Sequence, residues 1–144
     1  MRTAEEVIRG HGHPNIRALH KTTFEITREE HLTPRGDCII VVGADKGALH
    51  LSDDLKKLIQ RGAKVRVIIE VDGVRDEIVG KGNPKLTLTD PISLVGRKSE
   101  YVCPRTFMVK ANKSARDLSR ELIMKLREEF WKEVTVRIIA EIDS

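Results

Sequence analysis

The strongest constraint in this sequence is an internal repetition. Ala44-Asp45-Lys46-Gly47-Ala48 recurs as Ala111-Asn112-Lys113-Ser114-Ala115. At the same offset Leu51-Ser52 meets Leu118-Ser119, and Leu55 meets Leu122. After a four-residue insertion, Val65-Arg66-Val67-Ile68-Ile69-Glu70-Val71-Asp72 meets Val136-Arg137-Ile138-Ile139-Ala140-Glu141-Ile142-Asp143. Upstream, Ile8-Arg9-Gly10-His11-Gly12-His13-Pro14 meets Ile78-Val79-Gly80-Lys81-Gly82-Asn83-Pro84. A repeated unit that cannot bury its own apolar face must bury it against its copy. We therefore expect a single domain over residues 1–144, built from two repeats at about 5–72 and 76–143.

Each half reads alike. A short strand (5–9; 77–80) runs into a G-x-G-x-P loop, where glycine is expected to supply positive φ and proline to fix the exit. Alternating strands follow at 22–27 and 85–89, then strands at 38–42 and 106–110. A helix comes next. In the first half Ser52 is its expected N-cap, with Asp53 and Asp54 against the positive helix end. Leu51, Leu55, Leu58 and Ile59 form the apolar stripe, and Gly62 ends the helix. In the second half Ser114-Ala115-Arg116-Asp117 reads as a capping box, ahead of a stripe of Leu118, Leu122, Ile123 and Leu126. The last strands are 64–71 and 135–142.

Topology follows from one dipeptide. Asp72-Gly73 is a strong hairpin signal and should pair 64–71 with 74–79. Two-fold pseudo-symmetry then pairs 135–142 with 5–9. Those pairings would close the sheet and remove its edges. The expected fold is thus mainly β with two helices, a pseudo-two-fold, internally duplicated β-barrel. An open two-layer α+β sandwich is the alternative. Thr33-Pro34-Arg35-Gly36-Asp37, leading into Cys38-Ile39-Ile40-Val41-Val42, resembles the glycine–aspartate turn of cradle-loop barrels, which are also duplicated. There Gly36 would take positive φ, and Asp37 would accept backbone N–H groups from a crossing strand, a structural role rather than a catalytic one.

Composition removes several classes. No apolar run approaches the ~18 residues that span a bilayer, and the first residues hold no apolar core of a secretory leader, so no membrane association is expected. Abundant Val, Ile and Leu with near-balanced charge exclude intrinsic disorder. Cys38 and Cys103 make no metal-type spacing; two buried thiols fit a cytoplasmic chain, and a disulfide between them is the alternative in a hyperthermophile. Scarce Asn and Gln beside abundant Lys, Arg and Glu lean towards a thermophile. The net charge is +4, with a local excess between residues 97 and 116: Arg97, Lys98, Arg105, Lys110, Lys113 and Arg116 against Glu100. Such a stretch attracts phosphate groups or nucleic acid. With five aromatics in the chain, stacking platforms for single strands are few.

Gly12-His13-Pro14-Asn15-Ile16, His20-Lys21-Thr22-Thr23 with Glu25 and Thr27, Leu32-Thr33, and Arg35-Gly36-Asp37-Cys38-Ile39-Ile40 resemble an archaeal family of uncharacterised proteins, the domain of unknown function numbered 371. Arg97, Ser99 and Arg105-Thr106 fit the same pattern. The resemblance spans nearly the whole chain. It implies an archaeal, cytosolic protein and carries no assigned activity. Asn112 departs from the aspartate expected after Ala111, which puts an acid role there in doubt.

Three functional readings remain. The first is a binding domain for a small phosphorylated or carboxylated ligand, enzymatic or not. Lys46 and Lys113 each precede a helix, where N–H groups, dipole and ammonium together favour an anion. Arg97, Arg105 and Thr106 add forks and a hydroxyl, and His11, His13 and His20 complete the candidate set. The second is a nucleic-acid accessory module using the basic stretch. The third is a metal-dependent hydrolase centred on the three histidines, since imidazole is a frequent metal ligand. His31 and His50 are expected on solvated loops. The second half carries Lys81 and Asn83 where the first carries His11 and His13, so no metal set is complete. No nucleophile–base motif is present, and Cys38, at the start of an apolar strand, reads as inert. The sequence leaves the cofactor unknown, and monomer and homodimer are both open.

Overall fold

Among the described residues, 1–143, a computed structural model has eight strands and two α-helices. They are β1 (Arg2–His11), β2 (Thr23–Thr27), β3 (Ile39–Val41), α1 (Asp53–Gln60), β4 (Lys64–Val71), β5 (Val74–Lys81), β6 (Ser93–Arg97), β7 (Thr106–Met108), α2 (Arg120–Glu128) and β8 (Glu133–Ile142). Asp72 and Gly73 both have positive φ, 51° and 81°. This is the turn whose twist matches a right-handed hairpin, and it joins β4 to β5 in register from Val71–Val74 to Lys64–Lys81. β8 pairs antiparallel with β4 and, on its other side, with β1. The predicted pairing of the last strand with the first is therefore present, with Glu5 opposite Ile139.

The strands form two four-stranded sheets, β1-β8-β4-β5 and β3-β2-β6-β7. The closed barrel expected from the sequence is not found, and the class is mixed α+β. The sheet edges meet at two isolated bridges, His11–Val42 and Lys81–Val109. The reason lies one residue further on. Gly43 and Lys110 take positive φ (59° and 52°), which ends extended geometry and turns the chain off the edge. Side chains then take over the ladder. Asp45 Oδ1 accepts the Arg9 N–H at 3.0 Å, and Asn112 Oδ1 accepts that of Val79 at 2.9 Å. An amide oxygen does this as well as a carboxylate, so Asn112 needs no acid function.

Other expectations are corrected. Residues 85–89 are not a strand; β6 lies further on. The alternation that suggested a strand is real burial, of Leu86 and Leu88, but Leu88 has φ 54° and breaks the extension. The box at Ser114 closes a separate 3₁₀ turn, in which Asp117 Oδ2 accepts from Ser114 N and Oγ. Leu118 is extended, and α2 restarts with Ser119 as its cap, accepting from Leu122 N. Ser52 caps α1 as expected, accepting from Leu55 N. Both apolar stripes are buried.

The glycines of the G-x-G-x-P loops do not take positive φ. Their role is close approach. A Cβ on Gly12 would overlap the Leu126 carbonyl of α2, and one on Gly82 would overlap the Ile59 carbonyl of α1. Each loop thus slides beneath a helix end, with His13 N–H on Leu126 O and Gly82 N–H on Ala63 O. Gly36 likewise lacks positive φ; an added Cβ would meet Leu32 Cδ1 at 2.7 Å. Asp37 receives the Leu19 and His20 N–H groups on its backbone carbonyl, not its side chain. Its Oδ1 is buried without a hydrogen bond, and Arg17 approaches to 3.9 Å.

The two kinds of glycine should separate by denaturation. Gly82→Ala forces a backbone clash and should cost about 3 kcal/mol, seen as a lower urea midpoint. Gly73→Ala meets open space and should lose about 1 kcal/mol, from its φ alone.

Candidate functional site: a carboxylate, two thiols and two guanidiniums

The centre of the second sheet is the antiparallel pair β2–β6. Thr23 faces Arg97, Glu25 faces Val95 and Thr27 faces Ser93. Directly opposed residues share a face, so one face carries Thr23, Glu25, Thr27, Ser93 and Arg97. The other face sends Phe24, Ile26 and Leu94 into the core, where Phe24 meets Phe107 edge-on at 6.0 Å. Cys38 and Arg105 enter at matching places. Each precedes an outer strand, and each gives its carbonyl to the central strand: Cys38 O to Glu25 N at 2.8 Å, Arg105 O to Val95 N at 2.7 Å.

Glu25 is 8 % exposed, and a buried carboxylate requires partners. It has three. Ser93 Oγ donates to Oε2 at 3.0 Å, the Cys38 thiol points at Oε1 at 3.5 Å, and Arg105 Nη1 lies 3.5 Å from Oε1. Beyond Arg105 sits Cys103. Arg97 donates through Nε to Thr106 Oγ1 at 3.0 Å and through Nη2 to the Cys103 sulfur at 3.4 Å. Thr106 Oγ1 lies 3.3 Å from the same sulfur. The Arg97 guanidinium stacks over Tyr101, 4.7 Å from the ring centroid. At the other end, the His20 Nδ1 accepts from Thr23 N and lies 3.0 Å from Thr23 Oγ1. The neutral ring therefore carries its proton on Nε2.

The two thiols are pushed apart. Burial and the negative charge of Glu25 raise Cys38 to about 11. Burial acts to raise Cys103 too. The Thr106 hydroxyl, the Arg105 backbone N–H and the Arg97 guanidinium outweigh it and bring Cys103 down to about 7. Both cysteines are free.

Of the residues singled out in the sequence, Arg97, Arg105 and Thr106 converge here, and His20 touches the edge through Thr23. The others do not join. Lys46 turns to Glu6 at 3.0 Å, and Lys113 to Asp76 at 2.6 Å. These carboxylates also accept the N–H groups of Ser52 and Ser119. Both ammoniums thus tie helix starts to strands. His11 bonds Gly12 O and Glu30, and His13 accepts from Asn15 N. Among the described residues no group of three His, Cys, Asp or Glu is arranged to hold a metal. His31 and His50 are exposed, with His50 accepting from Gly47 N in a 3₁₀ turn. The basic stretch is locally paired: Lys98–Asp117, Arg105–Glu25, Lys110–Glu100 and Lys113–Asp76. An open groove of about 580 Å³ runs along α2, lined by Arg17, Arg120, Arg127 and Met124 among others. It includes none of the cluster, and Arg120 spends its donors on the carbonyls of Ala18, Ala115, Arg116 and Leu118.

Sequence reasoning missed Glu25, Cys103 and Ser93, and dismissed Cys38. A signal existed: Thr23, Glu25 and Thr27 alternate with Phe24 and Ile26, which marks a polar strand face. Nothing local says that this face is buried.

Fold and site together define a mixed α+β domain whose central polar strand pair holds a carboxylate, two thiols and two guanidiniums. The sequence profile of a domain of unknown function, DUF371, matches residues 8–141, and the chain belongs to that family. It is 47 % identical over 135 residues, 94 % of this chain and 98 % of the relative, to an uncharacterized protein of the archaeon Methanocaldococcus jannaschii. Among the described residues no helix is long and apolar enough to cross a membrane.

Asp117 gives this region a pH signature. The Lys98 ammonium and the Ser114 N–H hold its carboxyl down at about 2. A lowered folded-state value means stability that is fully present above the ordinary range near 4 and is lost as pH falls towards 2. Lys98→Met should flatten the acid limb of stability against pH and leave the neutral limb in shape, read by urea unfolding at each pH.

Proposed function

We propose that the chain is a cytoplasmic domain that binds a small phosphorylated or carboxylated ligand at Arg97 and Arg105, with Thr106 and His20 beside them. The observation that carries this reading is the state of Arg105. Its side chain is 48 % exposed, and its contact to Glu25 is long, at 3.5 Å. A guanidinium has five donors in a fixed fork, so the one long contact leaves several unused, and Arg97 shares with Arg105 an interaction with Cys103. An incoming oxyanion can take a bidentate pair of bonds there while Glu25 keeps its bonds from Ser93 and Cys38.

The same reading treats the fold as two copies of one unit, residues 5–72 and 76–143, forming a barrel interrupted at two seams. Matched bonds support it. Glu6–Lys46–Ser52 is paralleled by Asp76–Lys113–Ser119, and Arg9–Asp45 by Val79–Asn112. In this duplication Cys38 and Arg105 hold corresponding positions with different side chains, so the site arises where the copies diverge. No observation favours the nucleic-acid or metal-hydrolase readings.

The test is thermal shift with inorganic phosphate, sugar phosphates and dicarboxylates at low ionic strength. At least one should raise the melting temperature of the native chain, and Arg105→Ala and Arg97→Ala should each abolish that rise. A rise that survives both substitutions places the anion elsewhere.

A further inference from the structure

Cys103 is set apart from an ordinary structural cysteine by the groups that contact its sulfur. Arg97 from β6 donates to its sulfur, Thr106 from β7 lies 3.3 Å away, and Tyr101 backs Arg97. The guanidinium of Arg105, which lies 3.5 Å from Glu25, is also within electrostatic reach of Cys103. The residue is half-buried, and the guanidinium that donates to its sulfur is that of Arg97, at 3.4 Å. We infer that Cys103 is a nucleophilic thiolate and a covalent attachment site for carbon electrophiles that carry an anionic group.

The charges account for both parts of this inference. Arg97 stabilises the sulfur anion, and the outward donors of Arg105 would dock a carboxylate or phosphate next to it. The second part rests on the anion-site reading; the first does not. In the step itself the thiolate sulfur gives its electron pair to the electrophilic carbon, a C–S bond forms, and the leaving group departs with the electrons of its former bond to carbon. No proton is transferred and no redox partner is needed. Cys38 serves as an internal control, since burial and Glu25 hold it as a thiol at neutral pH.

Alkylation of the native chain by iodoacetamide, which is neutral, and iodoacetate, which is anionic, separates the two parts. Iodide is the leaving group in both, and the modified residue is read by intact mass and peptide mapping. Below pH 8 we expect Cys103 alone to react, with a rate midpoint near 7 rather than the ~8.5 of a free thiol. A lower pKa raises the thiolate fraction at pH 7 about 16-fold but lowers its intrinsic nucleophilicity about fivefold, so the net gain over a free thiol is about threefold and the midpoint is the sharper readout. Arg97→Met should raise the midpoint by about one unit, and Arg97→Lys should restore part of the shift. A wild-type midpoint near 8.5, reaction first at Cys38, or a folded Arg97→Met chain with an unchanged midpoint would overturn the thiolate. The iodoacetate-to-iodoacetamide rate ratio at Cys103 should exceed that of N-acetylcysteine severalfold, fall to it in Arg105→Ala, and drop when phosphate is added. A ratio equal to that of the small thiol sinks the anionic preference while a midpoint near 7 keeps the thiolate.

Discussion

The antiparallel pairing of β2 with β6 is the constraint on which the site depends. It sets Thr23 against Arg97 and Thr27 against Ser93, and so puts the polar residues of two distant segments on one face. It also puts Glu25 where water barely reaches. Removing a carboxylate from water is costly unless hydrogen bonds and charge replace the lost hydration. Ser93, Cys38 and Arg105 are those replacements, and their positions follow from the need to satisfy Glu25. Arg105, so placed, also comes within electrostatic reach of Cys103.

The same pairing explains why two thiols in one cluster differ. Cys38 lies on the side of the carboxylate and Cys103 on the side of Arg97. Burial raises both; the Glu25 charge raises Cys38 further, whereas hydrogen bonds from Thr106, the Arg105 backbone and Arg97 bring Cys103 down. Perturbed groups of this kind concentrate at functional sites, although structural networks perturb them too. Arg105 and Cys103 are both partly open to solvent, so a ligand can reach them. The lysine–carboxylate pairs at Glu6 and Asp76 show the structural alternative: each carboxylate takes one ammonium and one helix-start N–H.

The first sheet plays a different part. β4 and β8 form its centre, and β1 and β5 form its edges. Those edges are shielded by the segments carrying Asp45 and Asn112, which lend side-chain oxygens to the strand backbone. This limits the unpaired N–H groups through which sheets join edge to edge.

Local chemistry wrote much of this into the sequence. The Asp72-Gly73 turn, the Ser52 cap and the two apolar stripes were legible because each depends on backbone preference or periodicity over a few residues, and the pairing of the terminal strands was legible because the internal repetition projects the hairpin onto them. Arg97, Arg105 and Thr106 were legible as anion-binding types. Several things were not. The strand expected at 85–89 failed because buried leucines in an irregular loop mimic period two. The G-x-G-x-P glycines were read as turn formers, whereas a helix carbonyl from far along the chain fixes their lack of a side chain. Lys46 and Lys113 looked free because their carboxylates lie some forty residues away. Glu25, Ser93 and both cysteines became a site only when β2 and β6 met. Side-chain type and local geometry are properties of sequence neighbours; burial, charge partners and the pKa values they set depend on which distant segments the fold brings within a few ångströms.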